Sequence, residues 1–342
     1  MEWYYILMLF PAVIVTLYGY HKQRNGGWYS KVTTKELIIS LGANFLVALL
    51  CLGIIQIFKY GQVSDYYILN GVVTGKHSEH VSCEHSYQTC TTSNKVTTCI
   101  THYEHLYDID WVVDTNIGDL TIDRVDRRGT NEPPRFTQVV IGEPAAKQVD
   151  YSNYLFADKD SLFNQNAKGG FGVSSAKVYD YYRTTHFLGD SNYNPLEDHL
   201  KHLLIGKNYN ITFVTVKNKQ VESFYDLIKD WKGGKINEIT YVINLDSDNK
   251  ITWVKANSYA KGYKNQLLLK TTEDLIIKNN LNKESLKILV DTINGSYILH
   301  SEHEFEEKID LVEIPLFLVL FLTFINFGLS ILIHNKMKTS DI

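Results

Sequence analysis

Three apolar runs, Trp3–Tyr20, Leu37–Phe58 and Pro315–Ile333, each hold about 18 to 22 residues with almost no charge. A helix rising 1.5 Å per residue needs that length to cross roughly 30 Å of bilayer hydrocarbon. The runs predict a membrane protein with three transmembrane helices. The expected segments are helix 1 at 1–20, a loop at 21–36, helix 2 at 37–58, a large insert at 59–313, helix 3 at 314–334 and a tail at 335–342.

Basic residues orient these spans. Lys22, Arg24, Lys31 and Lys35 lie between the first two runs, and Lys336 and Lys338 follow the last. The positive-inside rule puts both segments in the cytoplasm, which places the amino terminus and the insert on the other side. A cleaved signal peptide would need a basic start and small residues at its end. Glu2, Pro11 and Leu17-Tyr18-Gly19-Tyr20 fit an uncleaved anchor instead. Tyr4, Tyr5, Tyr18, Tyr20, Trp28 and Tyr60 suit interfacial belts. Asn44, Gln56 and Asn326 are the amides inside the runs, with Gly42, Gly53 and Gly328 nearby. With no ionisable residue mid-run they read as packing glue between helices rather than a transport path.

The insert is acidic. Of 34 Lys+Arg only six lie outside it, and of 38 Asp+Glu only three, which leaves it about seven charges negative. Nucleic acid, which rewards a basic face, is thereby excluded as a partner, as is a polybasic grip on anionic lipid. Its texture divides in two, predicting an α+β insert with a β-rich subdomain at 59–150 and an α/β subdomain at 151–313. Tyr67–Thr74, Lys95–Tyr103, Tyr107–Val113, Asp119–Val125 and Phe136–Ile141 read as strands, with a breaker-rich loop from Asp126 to Pro134. Further on, Ile211–Val216 is a strand of branched residues and Val221–Trp231 has helical spacing closed by Gly233-Gly234. Glu238–Leu245 and Lys250–Ala256 form a hairpin, and Leu267–Lys278 and Lys283–Ile293 are closing helices.

Three of four cysteines and five of twelve histidines fall within 29 residues, as His77-x2-His80-x2-Cys83-x-His85-x4-Cys90-x8-Cys99-x2-His102-x2-His105. Two readings stay open. An oxidising compartment favours a disulfide, and Cys90 and Cys99 bracket a polar turn that the bond would close. That leaves Cys83 odd. Alternatively Cys83, Cys90 and Cys99 with His85, His102 or His105 make a structural zinc site of the Cys3His kind. Cys51, inside a span, is a small apolar filler.

Weaker signals resolve toward structure. Asp246-x-Asp248-x-Lys250 lacks the glycine and the closing glutamate of a calcium loop and reads as a turn. Gly169-Gly170-Phe171-Gly172 lacks the strand and the Gly-Lys-Ser/Thr of a phosphate loop. Asp108-x-Asp110 places two carboxylates on one strand face, read as solvated. Tyr179, Tyr181, Tyr182 and Arg183 form a candidate partner-contact patch, because Tyr and Arg are favoured interface anchors.

The stretch His85-Ser86-Tyr87 to Cys90, then Cys99, then Tyr103-Glu104-His105-x2-Asp108-x-Asp110-Trp111 resembles a group of tailed-bacteriophage inner-membrane proteins. Ile122-Asp123-Arg124-Val125-Asp126-Arg127, Pro133-Pro134-Arg135-Phe136, Ile141-Gly142-Glu143-Pro144 and Trp231-x-Gly233-Gly234-Lys235 extend the resemblance over most of the insert. It implies a phage-encoded protein in the inner membrane of a bacterial host, with residues 59–313 in the periplasm. Members of the group carry further cysteines here, and their lack in this chain weighs toward the disulfide. No activity and no functional residue is transferred. Val221–Ile293 is also similar to small periplasmic domains of the TPM type, a fold-level analogy that licenses no chemistry.

No residue set reaches a catalytic signature. The expectation is a non-enzymatic protein without a cofactor, presenting its insert to an envelope partner, for host-envelope modification or superinfection exclusion. The alternative is a metal-dependent envelope hydrolase using the His/Cys cluster. Expected partners are the lipid bilayer and an envelope or membrane protein, with self-association left open.

Overall fold

The structure is a computed structural model that describes residues 3–25, 34–93, 96–157, 170–179, 182–189, 193–259, 263–299 and 301–338. Tyr181, Lys95, Trp28, Lys31 and Gly169, all singled out above, lie outside the described residues. In chain order come helices α1 (Trp3–Asn25) and α2 (Thr34–Val63), strands β1 (Ser64–Val81), β2 (Ser86–Ser93), β3 (Val96–Tyr103), β4 (Asp108–Thr115) and β5 (Leu120–Ile122), and the short helix α3 (Pro134–Thr137). There follow β6 (Pro144–Ser152), β7 (Val178–Tyr179), β8 (Arg183–Thr184), β9 (Phe187–Gly189), α4 (Glu197–Leu204), β10 (Asn210–Lys217) and α5 (Ser223–Asp230). The chain closes with β11 (Glu238–Leu245), β12 (Ile251–Ser258), α6 (Tyr263–Asn279), α7 (Lys283–Ser296) and α8 (Leu316–Lys338).

The chain divides into two compact units. The first comprises Met1–Ser64, Tyr154–Lys159 and Phe305–Ile342. Its helices α1, α2 and α8 are long and apolar enough to cross a membrane. Each runs about a turn past its apolar run, since nothing there breaks the helix. Tyr4, Met8, Cys51, Ile55, Val319 and Leu322 pack between the helices. The outward faces are equally apolar, with Leu50 69%, Ile57 73% and Phe324 78% exposed. Apolarity on every side is what a lipid-facing bundle needs and an amphipathic soluble helix lacks. Two amides stitch helices together: Gln56 Nε2 donates to the Tyr5 hydroxyl at 3.0 Å, and Asn326 Nδ2 to the Met8 carbonyl at 2.6 Å. Asn44 instead reaches Ser40 on its own helix. A Cβ at Gly42, Gly53 or Gly328 would meet no atom within 4 Å, so these glycines do not mark close approach. Gly19 does: a Cβ there would press on Leu37 and His334.

The second unit, Asp65–Asn153 with Asp160–Glu304, holds two four-stranded sheets. The first sheet has the order β5-β4-β1-β6. β1 and β4 pair antiparallel, with an irregularity between Val73 and Gly75. Val73, Val113, Ile122, Phe136, Val139, Ala145 and Tyr182 form its core. The stretch Phe136–Ile141, expected as a strand, begins instead in α3. Pro134 at the first helical position sets φ for a helical turn and removes the amide a ladder would use.

The second sheet has the order β12-β11-β10-β9, parallel from β9 to β11 and antiparallel at β12. Odd residues of the central strands (Ile211, Phe213, Ile239, Tyr241, Ile243) pack with Leu200 and Leu204 of α4 and Leu286, Leu289, Val290 and Ile293 of α7. Even residues Val214, Val216 and Val242 pack with Phe224, Leu227 and Ile228 of α5. The period of two thus sends alternate side chains to opposite helical layers, giving an α/β/α sandwich. Asn70 Nδ2 donates to Asn210 Oδ1 at 3.0 Å and Asn237 Nδ2 to the Ile68 carbonyl at 2.8 Å, tying β1 to this sheet.

β2 and β3 stand apart from both sheets as a two-stranded hairpin. Eight pairs run without a bulge from Ser86↔Tyr103 to Ser93↔Val96. All its residues are exposed except His102, which is half-buried. Such a ribbon buries almost nothing and is marginal alone. A disulfide between Cys90 and Cys99, directly opposite each other, staples it.

Candidate functional site

The hairpin springs from two connectors. Residues 82–85 join β1 to β2, residues 104–107 join β3 to β4, and the Glu104 amide donates to the His85 carbonyl at 3.0 Å across the root. At this root three ligand-type atoms converge within 4.8 Å of one another, from Cys83, His105 and Asp108. Cys83 Sγ lies 3.3 Å from the His85 carbonyl, to which the thiol donates, and 3.7 Å from His105 Nδ1. The same Nδ1 lies 3.5 Å from Asp108 Oδ1.

Asp108 is held by one oxygen only. Its Oδ2 accepts from the Glu84 amide and from Arg124 Nη1, each at 3.0 Å. Its side chain is 0% exposed, and Oδ1 makes no close hydrogen bond, having only the 3.5 Å approach of His105 Nδ1 and a weak pull from the Cys83 thiol. The Glu84 amide, with the Arg124 guanidinium and His85 adding to it, holds this carboxyl below the ordinary carboxylate range despite burial. Arg124 also grips Asp110 Oδ1 with Nε at 2.8 Å and Nη2 at 2.6 Å. The Asp108-x-Asp110 pair is therefore ion-paired to Arg124, with Asp108 buried and Asp110 half-buried, not the solvated face expected from alternation.

Arg124 is positioned by the loop that follows β5. The Asp126 carboxylate accepts the amides of Arg128, Gly129, Thr130 and Asn131, a turn typical of Asp. Those bonds, the Asn131 amide foremost, hold its carboxyl at about 2. Gly129 adopts φ 78°, and a Cβ there would collide with the Ile109 carbonyl. A cleft of about 570 Å³ opens beside the root, lined by Glu84, His85, Asp110, Arg124 and Arg127 among others.

The structure breaks up the six residues proposed for a metal. Cys90 and Cys99 are bonded to each other, four pairs or roughly 14 Å up the ladder from its base. His102 stacks on Tyr87 with ring centroids 5.2 Å apart. His85 Nε2 is engaged at 2.6 Å with the Arg127 carbonyl. Of the six, Cys83 and His105 bring ligand-type atoms together, joined by Asp108, which sequence reasoning did not name, and the His85 ring meets that of His105 edge-on at 6.3 Å. The short step His105-x2-Asp108 was the available signal. Of the other histidines, His77 pairs with Asp114 at 3.0 Å and His80 stacks on Tyr107.

The candidate contact patch is also divided. Tyr179 is exposed and Arg183 half-buried, but Tyr182 is 0% exposed. It belongs to the first sheet's core and its hydroxyl donates to Glu143 at 2.8 Å, so it anchors packing rather than a partner. Burial and the adjacent Glu143 push its phenol up to about 12. These residues line a polar cavity of about 440 Å³ together with Asn70, His186 and Lys201.

The face of the hairpin opposite the disulfide is the surface that sequence reasoning did not identify. Residues on one face alternate, so Tyr87, Ile100 and Val96 share the side away from Cys90 and Cys99. They are 56%, 58% and 65% exposed.

Comparison with protein-family models, with curated proteins and with solved structures finds no match.

Proposed function

We propose that this protein is a membrane-anchored, non-enzymatic presenter. Its three helices hold the second unit on the periplasmic face of a bacterial inner membrane. There the β2–β3 hairpin takes up an extended strand of an envelope protein. One observation carries the reading: an eight-pair hairpin that contributes nothing to either core is kept rigid by its own disulfide. Exposed strand edges are normally blunted by lysine, proline or bulges. Residues 86–93 and 96–103 contain no proline, lysine or arginine, and the ladder has no bulge. Free edges of that kind suit strand addition, with Tyr87, Ile100 and Val96 supplying side-chain contact. The oxidising compartment that maintains a disulfide agrees with the orientation given by the basic loops. The resemblance to phage inner-membrane proteins makes the partner a host envelope protein and superinfection exclusion a fitting outcome.

The test is a photo-crosslinking residue placed at Thr89 or Thr98 of the full chain, expressed in bacteria. One dominant envelope-protein adduct is expected, lost when Ile100→Asp is added. No adduct, or an adduct indifferent to Ile100→Asp, overturns the reading. A periplasm-dependent reporter fused after Asp246 that stays inactive overturns the topology.

A further inference from the structure

The geometry points to a zinc(II) site at the root of the hairpin, with Cys83 Sγ, His105 Nδ1 and Asp108 Oδ1 as its three protein ligands. The first argument is spacing. Tetrahedral zinc with Zn–S of about 2.3 Å and Zn–N or Zn–O of about 2.0–2.1 Å sets neighbouring ligand atoms roughly 3.3–3.6 Å apart. The observed edges are 3.7 Å for Sγ to Nδ1 and 3.5 Å for Nδ1 to Oδ1. The third edge, Sγ to Oδ1, lies within 4.8 Å, and side-chain adjustments on binding would close these differences.

The second argument is the weakly held oxygen. A carboxylate with no exposure and one oxygen held only by long contacts is costly unless that oxygen gains a stronger partner. Oδ2 of Asp108 is fixed by the Glu84 amide and Arg124, while Oδ1 faces His105. That division, one oxygen oriented from behind and the other free to ligate, is how outer partners usually prepare a metal-binding carboxylate.

The third argument is that the same atoms do not make a thiol catalytic triad. A relay needs the cysteine on one imidazole nitrogen and the carboxylate on the other. Here both contacts go to Nδ1. Convergence on one nitrogen suits ligands around a common centre. Thiolate, imidazole and carboxylate together select zinc among common divalent ions. On binding, Cys83 releases its thiol proton to solvent, and its charge and that of Asp108 balance the ion. The fourth position falls to water.

The site also accounts for the odd cysteine, since Cys90 and Cys99 are committed to each other and Cys51 is buried within α2. Its ligands come from both connectors of the hairpin and from the first residue of β4, so zinc clamps the root as the disulfide clamps the middle. This inference stands whether or not the hairpin captures a strand.

The experiment is metal analysis of the full chain in detergent after zinc loading and gel filtration, beside Cys83→Ser and His105→Ala. About one retained zinc per wild-type chain is expected, lost in both variants while the disulfide stays intact by mass spectrometry. Cobalt(II) loading supplies a second readout, a thiolate-to-cobalt charge-transfer absorption that Cys83→Ser abolishes. Chelation should also increase protease cleavage at residues 82–107. Zinc-free wild-type protein, or retention unchanged in both variants, overturns the proposal and leaves His105 and Asp108 as an ion pair alone.

Discussion

The strands β3 and β10 are each eight residues long and each rich in threonine and branched residues, yet they live in opposite worlds. Every residue of β10 but the last is buried, with α5 on one side and α4 and α7 on the other. β3 has its sister strand and a disulfide, and among the described residues no layer covers it. Strand-forming composition therefore reports local geometry, and what lies over the strand decides whether it is core or contact surface.

Several substitutions would break or sharpen that contrast. The largest effect is expected at Phe213, which stacks on Phe187 at 4.9 Å and Tyr241 at 5.4 Å. Phe213→Ala should cost about 3–5 kcal/mol in chemical denaturation followed by tryptophan fluorescence. Next, Cys90→Ser with Cys99→Ser removes a restraint worth roughly 2.5 kcal/mol by loop-closure arithmetic. The loss should be confined to the hairpin: faster proteolysis between residues 86 and 103, with the second unit's unfolding midpoint unmoved. A matching drop in that midpoint would mean that the hairpin is part of the core after all.

A third expectation concerns pH. His186 is buried in the second sheet's edge, its Nδ1 donating to the Ile211 carbonyl at 2.8 Å. Burial pushes its pKa below the ordinary histidine value, with Lys201 acting the same way and Glu197 opposing. Below pH ~6.5 the unfolded chain takes up a proton that the fold refuses. Stability from this residue is thus full above that pH and falls as pH drops toward the folded value. The difference in stability between wild type and His186→Gln should shrink on going from pH 7.5 to 5; a difference that grows would contradict the buried neutral imidazole. The smallest effect is expected for Ile100→Ala, within about 0.5 kcal/mol on the same denaturation curve. A cost like that of Phe213→Ala would erase the contrast between the two strands.

The same contrast explains what was legible in the chain. The apolar runs were readable from their length and all-round apolarity, β10 and β11 as continuous runs buried on both faces, and α5 from the period of 3.6 on its one buried face. At the β11–β12 turn Asp246 Oδ1 takes the amides of Asp248 and Lys250, as a turn aspartate does. β2 was illegible because Ser86-Tyr87-Gln88-Thr89-Cys90-Thr91-Thr92-Ser93 faces no core that would impose alternation. Helix α4 commits only Leu200 and Leu204 to burial, too little for a periodic signal. In the site, Cys83 and His105 could be named from residue type. Asp108 went unnamed despite the step His105-x2-Asp108, because strand periodicity assigned it to a face without saying that Arg124, from a loop beyond β5, will close over it.

The unbroken ladder of the hairpin has a mechanical corollary. Eight residues of antiparallel strand reach about 27 Å, and the arm is joined to its body only through two short connectors. A tilt of about ten degrees at the shoulder would swing the far end by roughly 5 Å while shifting the nearest atoms by under 1 Å. Movement at the tip is therefore delivered, geared down in distance, to the few residues around Cys83 and His105.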